Sequence, residues 1–270
     1  MLLKPEFNFL LPLKVKNLLR LGRDFDGGYL VCEKTLNKCQ NLITLGVGDD
    51  ISFEIDFLKK IHNCNISLYD HTANDSLFFK IIMKYFRRTI TFRVSPKHLI
   101  NSIVSYLNYK KFLKKKNVQL FNKKVVEKVE TSNEVSLKDI INKISENKNN
   151  LLKVDIEGGE YEIIDQICVE NSTIEMLIIE FHWINKKKDI FGECIKKLNN
   201  YFQIIHIHAN NYKKVNQDDY FFDVIEITLV NKRNVDLNER IYRYDFPIKD
   251  LDQECIRGGS KINFSFSQTN

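Results

Sequence analysis

"LLKVDIEGGEYEII" (Leu151–Ile164) begins as a strand and ends as a helix. Leu151, Leu152 and Val154 form the nearly continuous apolar run of a strand covered on both faces. Gly158 and Gly159 then let the backbone turn, and the residues after them adopt helical spacing. Asp155, Glu157 and Glu160 crowd the junction. Carboxylates are costly to bury without partners, so this junction is either a chemical site or a solvated helix start. Glu160 suits the second role, beside the positive end of the helix that starts near Gly159.

The same strand–turn–helix unit recurs outward from this stretch. "NLITLGVGD" (41–49) and "NISLYDHT" (65–72) read as strands, with "SFEIDFLKKIHN" (52–63) as an amphipathic helix between them. "FFKIIMKYF" (78–86) reads as a helix, "TITFRVS" (89–95) as a third strand and "KHLINSIVSYLNYKKFLKKK" (97–116) as a basic helix. "VQLFNKKVVEKVE" (118–130) reads as extended and "VSLKDIINKIS" (135–145) as a helix. Downstream, "EYEIIDQICVE" (160–170) and "FGECIKKLNNYF" (191–202) are helical. "IEMLIIEFHWI" (174–184), "FQIIHIHAN" (202–210) and "VIEITLVN" (224–231) are strands, the last two close enough to be neighbours. Alternation of this kind specifies an α/β fold of the Rossmann-like type, a mostly parallel sheet with helices on both faces and right-handed crossovers. The organisation is an N-terminal extension with a hairpin (1–40), the sheet domain (41–232) and a C-terminal tail (233–270) that can shape an acceptor site.

Composition narrows the partners. The chain has 270 residues, 43% of them hydrophobic, and a net charge of +6, enough apolar material for one large core. Lysines are spread along the chain beside 35 acids. That pattern leaves room for a phosphorylated or acidic substrate but is not a nucleic-acid footprint. The six cysteines form no C-x-x-C pair, which fits a reduced, cytoplasmic setting better than a disulfide framework. The opening "MLLKPEFNFLLPLKVKNLL" makes a poor signal peptide, and no run approaches the ~18 apolar residues of a membrane span.

In open sheets of this class, ligands sit beyond the carboxyl ends of the strands. In "LGVGDD", Gly46 and Gly48 allow a tight turn and close approach of a ligand, while Ile51 stands where a dinucleotide fingerprint needs its third glycine. Asp70 follows by about 20 residues at the tip of the second strand, where an acid accepts from both ribose hydroxyls of an adenosine. Asp155, Glu180 and His182 project from neighbouring strand tips, with Glu157 at the rim. They suit a divalent cation such as Mg²⁺, or a His182 general base oriented by a carboxylate. "GRDFDGGYLVCE" (22–33) reads as a hairpin that can lie across the ligand mouth, with Tyr29 or Asp26 facing the pocket.

Two patterns carry less. Tyr106 and Lys110 have the Y-x-x-x-K spacing of short-chain dehydrogenases but sit in a basic helix too early in the strand order. His206 and His208 share a strand face, yet the sequence places no cysteine or third histidine near them to complete a zinc site.

At "EVSLKDIINK", "NLLKVDIEGGEYEII" and "LIIEFH" the sequence resembles the FkbM-like family of class I S-adenosylmethionine-dependent methyltransferases, over roughly Leu42 to Val230. The resemblance implies a seven-stranded sheet with its last strand antiparallel. It also implies S-adenosylmethionine over Gly46, Gly48, Asp49 and Asp70, and O-methylation of a sugar, nucleotide-sugar or surface-glycan precursor. The hairpin and the tail "YRYDFPIKDLDQEC" (242–255) lie outside this shared core. The acid that opens the family's glycine motif is Thr44 here and its last glycine is Asp50, with Asp49 available as a substitute carboxylate. A nicotinamide-dependent nucleotide-sugar oxidoreductase or epimerase, and a non-catalytic binding protein, are the competing readings.

Overall fold

The computed structural model describes residues 1–144, 149–212, 222–235, 241–256, 258–259 and 262–267. Its centre is a seven-stranded sheet. In chain order the strands are β1 (Asn41–Leu45), β2 (Asn65–Tyr69), β3 (Val118–Phe121), β4 (Asn150–Val154), β5 (Ile174–Phe181), β6 (Phe202–Ala209) and β7 (Ile225–Asn231). Their spatial order is β3-β2-β1-β4-β5-β7-β6. β3 to β5 are mutually parallel, whereas β7 runs antiparallel between β5 and β6. The expected mostly parallel α/β sheet is therefore present, and the direction of the chain reverses between β1 and β4, where a crevice opens.

Alternate residues of the buried strands divide between two cores. Ile43, Leu45, Leu152, Val154, Leu177 and Ile179 enter one, packed against α4 (Leu137–Lys143), α5 (Ile164–Val169) and α6 (Lys188–Tyr201). Leu42, Leu68, Leu151, Met176 and Ile178 enter the other, beneath α1 (Ser52–Lys60) and the helical pair α2 (Asp75–Ile90) and α3 (Pro96–Leu113). Period-two alternation in strands covered on both sides produces this division. The helix expected over 135–145 is present as α4, with Ser145 outside the described residues. No helix among the described residues is long and apolar enough to cross a membrane.

One expected strand is absent. "TITFRVS" is the end of α2 and the turn into α3, and the third strand is Val118–Phe121. Asn74 starts α2 by accepting from Leu77 N, and Thr91 Oγ1 ends it by donating to Arg87 O. Phe92 then turns left-handed at φ 54° and stays 96% exposed. The β-branched composition of the segment was outweighed by helix capping at both ends.

The flanking segments cover the sheet. Leu2–Leu3, Asp245–Phe246 and Phe264–Phe266 form a small sheet that ties the two ends together. Leu18–Leu21 and Tyr29–Cys32 form the expected antiparallel hairpin. Its Leu30 carbonyl accepts from Thr228 Oγ1 of β7 at 2.7 Å, which lays the hairpin across the face that carries Lys153, Glu180 and Glu226.

Candidate active site

The chemistry gathers where β1, β4 and β5 end. Gly46 donates to Tyr69 O at 2.9 Å, and Asp155 N donates to Leu45 O at 2.8 Å, so the tips of β2, β1 and β4 are stitched together. Gly46 has φ 83°, and a Cβ placed there would lie 1.7 Å from the carbonyl oxygen of Asp155. Only glycine allows the two strand tips to approach this closely. Gly48, at φ 59°, faces open space.

Asp70 closes the loop from below. Its Oδ2 accepts from Val47 N and Gly48 N, both at 2.9 Å. Its Oδ1 accepts from Thr72 N, Thr72 Oγ1 and Ala73 N. Burial raises this acid's pKa, but the hydrogen bonds from Gly48, Thr72 and Val47 outweigh it, so the carboxyl sits below its ordinary range. Asp49 is exposed at the rim, and Asp50 accepts from Ser52 N and Ser52 Oγ at the start of α1.

Thr44 is paired with a buried carboxylate from α1. Glu54, fully buried, accepts from Thr44 Oγ1 at 2.9 Å and lies 3.8 Å from the ammonium of Lys153. That ammonium also lies over the Tyr29 ring, 5.1 Å from its centroid. Burial opposes the charge on Lys153, yet Glu54, Asp155 and their neighbours hold its pKa above the ordinary lysine value. This cation sits beneath the carboxylates at the strand tips and offsets part of the cost of burying them.

His182 lies at the centre of those carboxylates. Its Nε2 is 3.7 Å from Glu157, 3.8 Å from Asp155 and 3.8 Å from Glu180. Its Nδ1 is 3.3 Å from Glu160 Oε1, which also accepts from His182 N at 2.6 Å. Glu160 Oε2 accepts from Gly158 N at 2.7 Å. Glu160 therefore does more than serve a helix start. It is fully buried and clamps the backbone and ring of His182, whereas Asp155 and Glu180 face the opposite ring nitrogen. Burial alone would lower the His182 pKa, but the Glu160 hydrogen bond and the charges of Glu180, Glu160 and Asp155 raise it to about 9.

The hairpin completes this group. Tyr29 OH lies 3.4 Å from both Asp155 Oδ2 and Glu180 Oε2, so one hydroxyl proton is shared between two carboxylates. Burial, followed by the Asp155 and Glu226 charges, pushes Glu180 well above the usual carboxylate range. Asp26 is also raised, chiefly by burial, with the Arg23 charge opposing.

Two neighbouring spaces, sharing Gly46, Asp70 and Asp155 in their walls, border these residues. A cavity of about 430 Å³ runs from Asp70 and His71 past Gly46 and Asp155 to Trp183 and Lys187. A second, of about 260 Å³, lies under the hairpin between Asp26, Tyr29, Gly48 and Lys153. Glu157 and Trp183 hold left-handed backbone, at φ 51° and 56°. Strain of about 1–3 kcal/mol per residue persists only where the surroundings enforce it. Here the indole packs where a Cβ on Gly158 would intrude, at 2.3 Å.

A family model described as the methyltransferase FkbM domain matches residues 19–214. The chain belongs to this family. Family membership makes it an S-adenosylmethionine-dependent methyltransferase. The match begins at Leu19, inside the hairpin. Among solved structures, the chain is similar to a precorrin-6y C5,15-methyltransferase from Geobacter metallireducens GS-15. That pair has 14% identity and a TM-score of 0.37, covering 73% of this chain and 86% of the other. It is also similar to the fibrillarin pre-rRNA processing protein of Methanococcus jannaschii, at 12% identity and a TM-score of 0.36, covering 73% and 68%. No curated protein matches the sequence.

The FkbM-family cofactor fits what the strand tips offer. The glycine loop has open space above Gly48, a buried acid stands beside it, and the larger cavity borders both. The structure brings together Gly46, Gly48 and Asp70 on one side, and Asp155, Glu157, Glu180, His182 and Tyr29 on the other. Glu54 and Lys153 were not singled out in the sequence, and Glu160 was assigned there only to the helix start. A lysine inside an apolar strand was the available signal for Lys153.

Proposed function

We propose that the chain methylates a hydroxyl group of a sugar, nucleotide-sugar or surface-glycan precursor. The observation that supports this acceptor is the end of the larger cavity farthest from Asp70. There Trp183 offers a half-exposed indole beside Lys187, whose ammonium lies 5.8 Å from the indole centroid and 3.2 Å from Gly158 O. An aromatic face with a few placed polar groups suits the apolar side of a sugar ring. Lys123, Lys124 and Lys187 border the same cavity and provide charge for a phosphate or acidic group.

When bound, S-adenosylmethionine supplies a methyl group on a positively charged sulfur. Gly46 and Gly48 leave room for its close approach, and Asp70 is the acid for its ribose. Thr72 Oγ1 is a rotatable donor to Asp70, so a ribose hydroxyl can take its place without moving backbone. Trp183 and the lysines orient the acceptor, and alignment of this kind carries much of such a reaction. His182 Nε2 receives the acceptor hydroxyl proton, and Glu160 at Nδ1 fixes the ring for that transfer. Asp155 and Glu180, linked through Tyr29, stabilise the resulting imidazolium. Asp26 borders the hairpin side and contacts the acceptor or the cofactor there.

A divalent cation is the second means of activating the hydroxyl. Ligand atoms of Asp155, Glu157 and His182 lie within 4.8 Å of one another, and Glu180 stands 3.8 Å from Nε2. Oxygen-rich sites with one imidazole suit Mg²⁺ or Mn²⁺. In enzyme dialysed free of loosely held cations, an activity gain on adding Mn²⁺ that Glu157→Gln abolishes supports the cation. No gain supports proton transfer by His182 alone.

The acceptor reading is tested by measuring S-adenosylhomocysteine formation with phosphorylated sugars and nucleotide-sugars, alongside RNA oligonucleotides. Turnover with a sugar acceptor, reduced about tenfold or more in Trp183→Ala through KM, is the expected result. Turnover with RNA alone contradicts it. NADH fluorescence enhancement without S-adenosylhomocysteine binding favours the oxidoreductase.

A further inference from the structure

His206 and His208 have no zinc partners nearby in sequence, but the fold brings partners to them. On β6, His208 stands opposite Glu226 of β7 in the strand register. The tail then returns across this face and sets Cys255 Sγ 3.5 Å from His208 Nε2 and 3.6 Å from Glu226 Oε1. All three side chains are buried, and one ligand atom from each falls within 4.8 Å of the others.

These distances have a simple geometric reading. Tetrahedral zinc, with Zn–S of about 2.3 Å and Zn–N or Zn–O of about 2.0–2.1 Å, requires S···N and S···O edges of about 3.5–3.6 Å. The two measured edges meet that requirement. The imidazole is also set for ligation, because its other nitrogen, Nδ1, lies 3.5 Å from Asp252 Oδ1. A carboxylate at one ring nitrogen fixes the tautomer and leaves the lone pair of the other aimed at the metal. Asp252 is itself held by Ile248 N at 2.6 Å and by His206 Nε2 at 2.9 Å. His206 thus belongs to the supporting layer.

Charge points the same way. Cys255 and Glu226 are two buried acidic groups in direct contact with each other. A dication would neutralise a thiolate and a carboxylate together. Thiolate, imidazole and carboxylate in a small tetrahedral set favour zinc over Mg²⁺ or Ca²⁺.

We propose that Cys255, His208 and Glu226 form a zinc site, with water as fourth ligand, that pins the C-terminal tail to the β6–β7 edge beside the active site. The competing account is a metal-free thiol–imidazole–carboxyl hydrogen-bond chain. Untagged full-length protein, purified without chelator, is incubated with Zn²⁺, desalted and analysed by elemental mass spectrometry. A parallel Co²⁺-substituted sample is examined for thiolate-to-cobalt charge-transfer absorption. The expected result is about one zinc per chain and a cobalt–thiolate band, both lost in Cys255→Ser and in His208→Ala and both kept in His182→Ala. The band separates this site from the Asp155–Glu157–His182 group, which has no sulfur. Zinc far below one per chain in the unmutated protein overturns the proposal whether or not the variants fold. A cobalt–thiolate band that survives Cys255→Ser also overturns it.

Discussion

His182→Ala is expected to lower kcat by about 10²–10⁴-fold, the usual range for a lost general base, while S-adenosylhomocysteine still binds within about threefold of the parent. The unequal effect follows from position. His182 faces Asp155, Glu157 and Glu180 at the tips of β4 and β5, while the glycine loop and Asp70 lie at the tips of β1 and β2. The pH profile should carry the signature of this residue. Because the surrounding carboxylates raise His182 to about 9, its neutral, proton-accepting form is scarce at neutral pH. Its population grows about tenfold per pH unit until that value is reached. kcat/KM should rise with unit slope through neutral pH and level near pH 9. Glu160→Gln removes the hydrogen bond that contributes most to the upward shift, so the limb should move to lower pH, with a reduced plateau from lost ring orientation. A limb unmoved in Glu160→Gln would separate His182 from proton transfer.

Gly46→Ala should destabilise the protein by about 3–5 kcal/mol, at the upper end for a single substitution. A Cβ at this position would lie 1.7 Å from Asp155 O and 2.7 Å from its carbonyl carbon. Both are backbone atoms with no rotamer by which to retreat. The φ of 83° is also one that alanine resists. Relief requires β1 and β4 to part, breaking the 2.8 Å bond from Asp155 N to Leu45 O. Gly48→Ala has open space and should cost only about 1–2 kcal/mol for its left-handed backbone. Urea denaturation of the two variants separates these cases. A Gly46→Ala protein within about 1 kcal/mol of the parent would contradict the close approach of the strand tips.

The architecture was legible because strands buried on both faces must be apolar throughout, and helices between them must be amphipathic. That pattern placed β1, β2, β4, β5, β6 and β7. It failed at Thr89–Ser95, where β-branched residues lie at the end of a helix whose extent is set by Asn74 and Thr91. The strand-tip rule located Gly46, Asp70, Asp155, Glu180 and His182, since tip positions follow from where apolar runs stop. Glu160 was misread because helix-start acids are ordinarily solvated, and only the turn at Glu157–Gly158 swings it under His182. Glu54 and Lys153 form a pair across α1 and β4, and no local spacing encodes such a contact. The proximity of Cys255 to His208 has the same origin, a tail that returns across the sheet from 47 residues away in the chain.

The central claim is that the tips of β1, β2 and β4 hold S-adenosylmethionine. Calorimetric titration with S-adenosylhomocysteine tests it most directly. One site per chain is the predicted result, weakened about tenfold or more in Asp70→Ala through loss of the acid that meets the ribose. Absence of binding by the folded, unmutated protein would contradict the account.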